Sequence, residues 1–112
     1  MKFKIEKVED LTAHGVWLAD FVAAIPDGET NAISTRELAH VFDIHPRVVT
    51  STVAYLRKHG IVIASSGAGY FFPASDDELR HFVAQMHSRM REIKLATISA
   101  EKMLERRERR DG

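Results

Sequence analysis

The side chains best suited to chemistry in this chain fall between residues 36 and 67. Arg47, Thr50, Ser51 and Ala54 recur at three- and four-residue spacing, with Arg57 and Lys58 one turn further on. On a helix they share one small, polar face with basic ends. Such a face fits a DNA major groove about 12 Å wide, where an arginine reaches guanine O6 and N7 and a small apolar side chain meets a thymine methyl. Arg47 and Ala54 suit those two roles, and Thr50 and Ser51 suit base edges or phosphate. Arg36, Arg57 and Lys58 suit phosphate contacts, which fix position without reading sequence. His40, His45 and His59 add charge to this region when protonated, and His45 joins the candidate contacts. Downstream, Ser65-Ser66-Gly67-Ala68-Gly69 carries no Arg or Lys. Ser66 and Gly67 there offer a phosphate a hydroxyl and backbone N–H groups, with the Tyr70 hydroxyl nearby.

Other chemistries find no footing. The six histidines, at 14, 40, 45, 59, 81 and 87, form neither HExxH nor an i, i+4 pair, and His81 and His87 lie on different faces of one helix. There is no Gly-x-Ser-x-Gly elbow, P-loop or dinucleotide fingerprint, and Gly67-Ala68-Gly69 lacks the strand-then-helix setting of a phosphate loop. With no cysteine, disulfides, thiol nucleophiles and thiolate metal sites are excluded. We expect no enzymatic activity, no metal and no cofactor.

The 112 residues, 45% hydrophobic and 29% charged, suit one soluble domain. No signal core and no membrane-length apolar run is present, so a cytoplasmic location is expected. The 16 basic and 16 acidic residues cancel, which argues at first against nucleic acid. The cancellation is uneven: residues 1–31 carry 3 basic and 6 acidic side chains, 32–58 carry 4 and 2, 59–75 none, and 76–112 carry 9 and 8. The polar face described above lies in the segment with the basic excess.

The elements that must position these residues follow from periodicity and punctuation. Val16, Trp17, Phe21, Val22 and Ile25 predict a first helix over residues 11–25 with one buried face, ended by Pro26-Asp27-Gly28. Trp17, Phe21, Phe71 and Phe72 are expected in the core. Ser34-Thr35-Arg36-Glu37 is a capping-box pattern opening a second helix whose apolar face is Leu38, Ala39, Val41 and Phe42. Asp43-Ile44 turns the chain into His45-Pro46, and a third helix runs from about Pro46 to His59, with Val48, Val49, Val53 and Leu56 inward and Gly60 as its left-handed cap. The β-branched run 61–64 and the aromatic run 70–72 predict a β-hairpin with a flexible tip over 65–69. Ser75-Asp76-Asp77-Glu78 repeats the capping-box pattern and opens a last helix to about Arg107, followed by a frayed, charged tail.

This order of elements resembles a winged helix-turn-helix. The inner-face residues Leu38, Ala39, Phe42, Ile44, Val49 and Val53 match the general pattern, Ala39 supplying the small residue of close packing. Asp43 stands where a glycine is usual, and Asp tolerates the left-handed conformation better than most residues. Residues 33–73 are also similar to the N-terminal domain of the biotin protein ligase repressors. The shared features are a capped helix, a Val-rich recognition helix, the Leu-Arg-Lys-x-Gly exit at Leu56 to Gly60 and the Gly-x-Gly-Tyr wing at Gly67 to Tyr70. No ligase domain is expected to follow, so biotin chemistry does not carry over. With its charged helical tail, the layout is similar to that of small bacterial and phage winged-helix regulators. The resemblance implies an α+β fold, mainly helical with a small hairpin, in which residues 1–73 form the winged domain and 74–112 the long C-terminal helix. It also implies double-stranded DNA as a partner.

In that last helix Leu79, Val83, Met86, Met90, Ile93, Thr97, Ala100 and Leu104 keep a 4-3-4-3 spacing, a heptad seam suited to a homodimer interface. The proximal part, Leu79, Phe82, Val83 and Met86, is equally able to pack on the chain's own first helix. In a parallel pair Arg89 faces Lys94 of the other copy, so the flanking charges favour an antiparallel or crossed pair. The expectation is a dimeric regulator of transcription or of phage or plasmid functions. The alternative is a protein-interaction module with the long helix as its docking element.

Overall fold

The computed structural model describes residues 17–111. Their order is α1 (Leu18–Ala23), a 3-10 turn (Glu29–Asn31), α2 (Thr35–Phe42), α3 (Pro46–Lys58), β1 (Ala64–Ser66), β2 (Gly69–Phe71) and α4 (Asp76–Asp111). The fold is mainly helical, with one small antiparallel sheet and a long C-terminal helix. Residues 11–16 of the expected first helix lie outside the described residues.

The first three helices surround one core. Phe21 and Ile25 come from α1 and its exit, Leu38 and Ala39 from α2, Ile44 from the turn, Val49, Val53 and Leu56 from α3, and Ile63 from the approach to β1. The Phe21 and Phe42 rings meet at 5.8 Å between centroids. Two expected core residues are not there. Trp17 is 73% exposed and Val41 61%. Trp17 sits at the N-cap of α1 with extended backbone, φ −83° and ψ 138°, and so leaves the helical register that would align it with Phe21. Val41 falls about 100° around α2 from the centre of Leu38, Ala39 and Phe42, by the rotation of about 100° per residue.

Local chemistry sets each boundary. Ser34 Oγ accepts from the Glu37 N–H at 3.0 Å and Glu37 returns an acceptor to the Ser34 N–H at 3.4 Å, completing the capping box. Asp43 adopts φ 51°, ψ 51°. That left-handed step lets the Ile44 N–H reach back to the Ala39 carbonyl at 2.9 Å and turns the chain from α2 into α3. At the end of α3 the Gly60 N–H donates to Arg57 O at 3.1 Å and the Ile61 N–H to Leu56 O at 3.0 Å. With Gly60 at φ 90°, this is a Schellman cap.

That cap also displaces the first strand from its expected position. The Ile61 N–H is committed to the helix and the Ile63 N–H to Ile61 O. Residues 61–63 therefore return the chain to the core, and ladder pairing starts only at Ala64. The register is Ala64 with Phe71, Ser65 with Tyr70 and Ser66 with Gly69. The turn is thus Gly67-Ala68, and Ser65 and Ser66 are strand residues rather than tip. Ile33, just before α2, pairs with the other edge of β2 through reciprocal bonds to Tyr70 of 2.9 and 2.7 Å. The hairpin is bolted to the start of α2 by that bridge.

Helix α4 opens with Ser75 Oγ accepting from the Glu78 N–H at 3.2 Å. The Glu78 carboxylate does not close the box. It accepts instead from the Ala74 N–H at 2.9 Å and the Glu29 N–H at 3.1 Å, and these two bonds hold its pKa below the ordinary 4.5. The first turn is rich in acid (Asp76, Asp77, Glu78) and the last carries Arg109 and Arg110, the polarity that the helix dipole favours. The chain divides into two units at Leu79 and Arg80. The second unit, described by itself, is one continuous helix with no buried residue, and it extends through the expected tail to Asp111. Arg109 and Glu105 there form an exposed i, i+4 pair at 3.9 Å. Among the described residues no helix is long and apolar enough to cross a membrane.

Candidate nucleic-acid interface

Helix α3 has two distinct faces. Val49, Thr52, Val53, Tyr55 and Leu56 are buried and Val48 is half-buried, whereas Arg47, Thr50, Ala54 and Lys58 are exposed and Ser51 is partly so. The exposed residues recur at three- and four-residue steps and form one stripe along the helix. His45 is the N-cap, its Nδ1 accepting from the Arg47 N–H at 3.0 Å. The neutral ring then carries its proton on Nε2, an exposed donor at the head of the stripe. Thr50 Oγ1 donates to Arg47 O at 3.0 Å, which leaves the hydroxyl oxygen able to accept. Arg36 is exposed in the first turn of α2.

The hairpin residues serve a different purpose from the one their types suggest. Arg57 Nε donates to Ile63 O at 2.7 Å and Nη2 to Ser65 Oγ at 3.1 Å. Its guanidinium ties the end of α3 to β1, so the basic end of the stripe is Lys58. Ser66 Oγ accepts from the Ala68 N–H at 3.1 Å inside the turn. The Tyr70 hydroxyl accepts from Thr35 Oγ1 at 3.4 Å, which adds to the Ile33 bridge in fixing the hairpin against α2. Gly67 is exposed, with nothing within 4 Å of a Cβ placed there.

Sequence reasoning missed three residues that build this site. Thr52 is buried with its hydroxyl returned to Val48 O at 2.7 Å, and the buried Tyr55 ring meets the His59 ring at 4.4 Å between centroids, tilted by 42°. Thr52 falls on the inward side of the periodicity set by Val49, Val53 and Leu56, a signal masked by its hydroxyl, whereas Tyr55 lies about 125° around the helix from that centre and its burial is set by the tertiary structure. Gly69 is the third. A Cβ there would lie 2.2 Å from Ile33 O and 2.7 Å from Ser34 N, a close approach that only the tertiary bridge creates.

Of the proposed seam, Met90, Ile93 and Leu104 are 64, 59 and 55% exposed. Leu79, Val83, Thr97 and Ala100 are also exposed and Met86 is half-buried. Among the described residues no group of three His, Asp or Glu side chains is placed to hold a metal ion. No protein-family model matches this chain, and neither curated proteins nor solved structures yield a match.

Proposed function

We propose that this chain is a winged helix-turn-helix protein that binds double-stranded DNA in a sequence-specific way. In this reading α2 and α3 are the helix-turn-helix, α3 enters the major groove, the β1–β2 hairpin is the wing and α4 pairs two copies. The protein acts in the cytoplasm as a regulator of transcription or of phage or plasmid functions. The observation that carries the reading is the division of α3 into a buried Val49, Val53, Leu56 face and an exposed Arg47, Thr50, Ala54, Lys58 stripe, beside a hairpin held in place by Arg57. Arg47 reads a guanine, Thr50, Ser51 and Ala54 meet adjacent base edges, and Arg36, His45 and Lys58 bind phosphates. Ser66 and Gly67 at the wing supply backbone N–H and hydroxyl donors.

With Arg36 and Lys58 as the exposed cations on phosphates, about two phosphates are neutralised per head, and log K falls with log salt with a slope near −2 per head. Selection of bound sites from random duplex DNA is the direct experiment. On a selected site Arg47→Ala should cost about 1–3 kcal/mol and relax the base preference at one position. An unchanged affinity and preference would remove α3 from the groove. A second reading, a protein-docking module, is favoured by the zero net charge and the absence of Arg or Lys between residues 60 and 75. No duplex binding even at low salt would select it.

A further inference from the structure

The second unit leaves a run of large apolar side chains in solvent with no residue buried along it. We infer that a second copy of this chain covers it in antiparallel orientation, the two helices crossing near residue 95. This rests on the dimer part of the reading above and is independent of what α3 binds.

Two features of the helix specify the direction. Reversing one copy about residue 95 sets Met86 against Leu104, Met90 against Ala100 and Ile93 against Thr97, so that small side chains meet large ones. An in-register parallel pair would stack Thr97 on Thr97 and Ala100 on Ala100, two thin layers in succession that leave a void. Burying Thr97 strands no donor, because its hydroxyl is already bonded to Ile93 O at 2.8 Å. The second feature is charge. Along one edge of the seam stand Arg80, His87 and Lys94 in the first half and Glu101 and Glu108 in the second. Residues on this edge face their own kind in an antiparallel pair, so Arg80 lies beside Glu108 of the other copy and His87 beside Glu101, while Lys94 meets its own counterpart at the crossing. In a parallel pair the same edge faces the opposite edge, and Lys94 meets Arg89.

The natural absence of cysteine makes the test clean. Sedimentation of the full chain should give a particle of two copies. Ile93→Cys mixed with Thr97→Cys should form a disulfide between copies under mild oxidation, and Thr97→Cys alone should not. Lys94→Glu should leave self-association nearly unchanged, since Lys94 stands beside its own counterpart at the crossing and one like-charge pair replaces another, whereas in a parallel pair it would tighten it against Arg89. Cross-linking of Thr97→Cys with itself, or tighter association of Lys94→Glu, would overturn the orientation while leaving a dimer. A monomer, or an assembly larger than two, would overturn the pairing itself, whatever the result of the DNA experiments.

Discussion

Gly69→Ala is the sharpest test of how the hairpin is held. Gly69 has φ 131°, a region that L side chains rarely adopt and that costs of order 1–3 kcal/mol for alanine. The added Cβ would stand 2.2 Å from Ile33 O, 2.4 Å from Ile33 C and 2.7 Å from Ser34 N. All three are backbone atoms, so no side chain can rotate away, and relief requires Ile33 and β2 to separate. Separation breaks the reciprocal Ile33–Tyr70 bonds of 2.9 and 2.7 Å, worth about 1 kcal/mol each. The sum is about 3–5 kcal/mol, a large part of the stability of a small domain. Gly67→Ala, two residues away, is the control: a Cβ there meets nothing within 4 Å, so the change should be near neutral or slightly stabilising through the unfolded chain. Urea unfolding of both variants, followed by Trp17 fluorescence and by circular dichroism, reads the difference. Equal midpoints for the two variants would refute the account of the bridge, whatever the effect on ligand binding.

Arg57 and Lys58 are neighbours with separable roles. Arg57→Ala should lower stability by about 1.5–3 kcal/mol through its lost charge-assisted bonds and leave the salt dependence of DNA binding unchanged. Lys58→Ala should leave stability within about 0.5 kcal/mol and reduce the salt slope by about one. Exchanged outcomes would reverse the two assignments. Glu78, whose pKa is lowered by the Ala74 and Glu29 N–H groups, contributes stability that is fully present above its unfolded value of 4.5 and is lost as pH falls through the lower folded value. The stability gap between the wild type and Glu78→Gln should therefore narrow between about pH 5 and 2, and a gap constant with pH would show that the two bonds do not depend on charge.

Much of the helical frame was legible in the residues themselves. The capping box at Ser34 and Glu37, the left-handed step at Asp43, Pro46 in the first turn of α3 and Gly60 after it are each decided by a few neighbouring atoms. Residue type and spacing therefore suffice to locate them. The same holds for the inward Val49, Val53 and Leu56, whose periodicity sets the outward Arg47, Thr50, Ala54 stripe, and for the seam of α4, whose spacing is intrinsic to a helix. Other assignments depend on which chain segment comes to lie alongside. Arg57 resembles Lys58 in sequence, and only the return of Ile63 and Ser65 to its side turns it into a clamp. Gly69 became indispensable because Ile33, 36 positions away, pairs with Tyr70, and Glu78 left its own capping box because the 3-10 turn presented the Glu29 N–H. Trp17 reads as core by type but sits before the register begins. A cap or a helical stripe is written in interactions spanning a few residues, whereas a hydrogen bond between distant segments exists only once the core has brought them together. The tertiary structure therefore decided which polar groups hold the fold and which remain exposed to meet a partner.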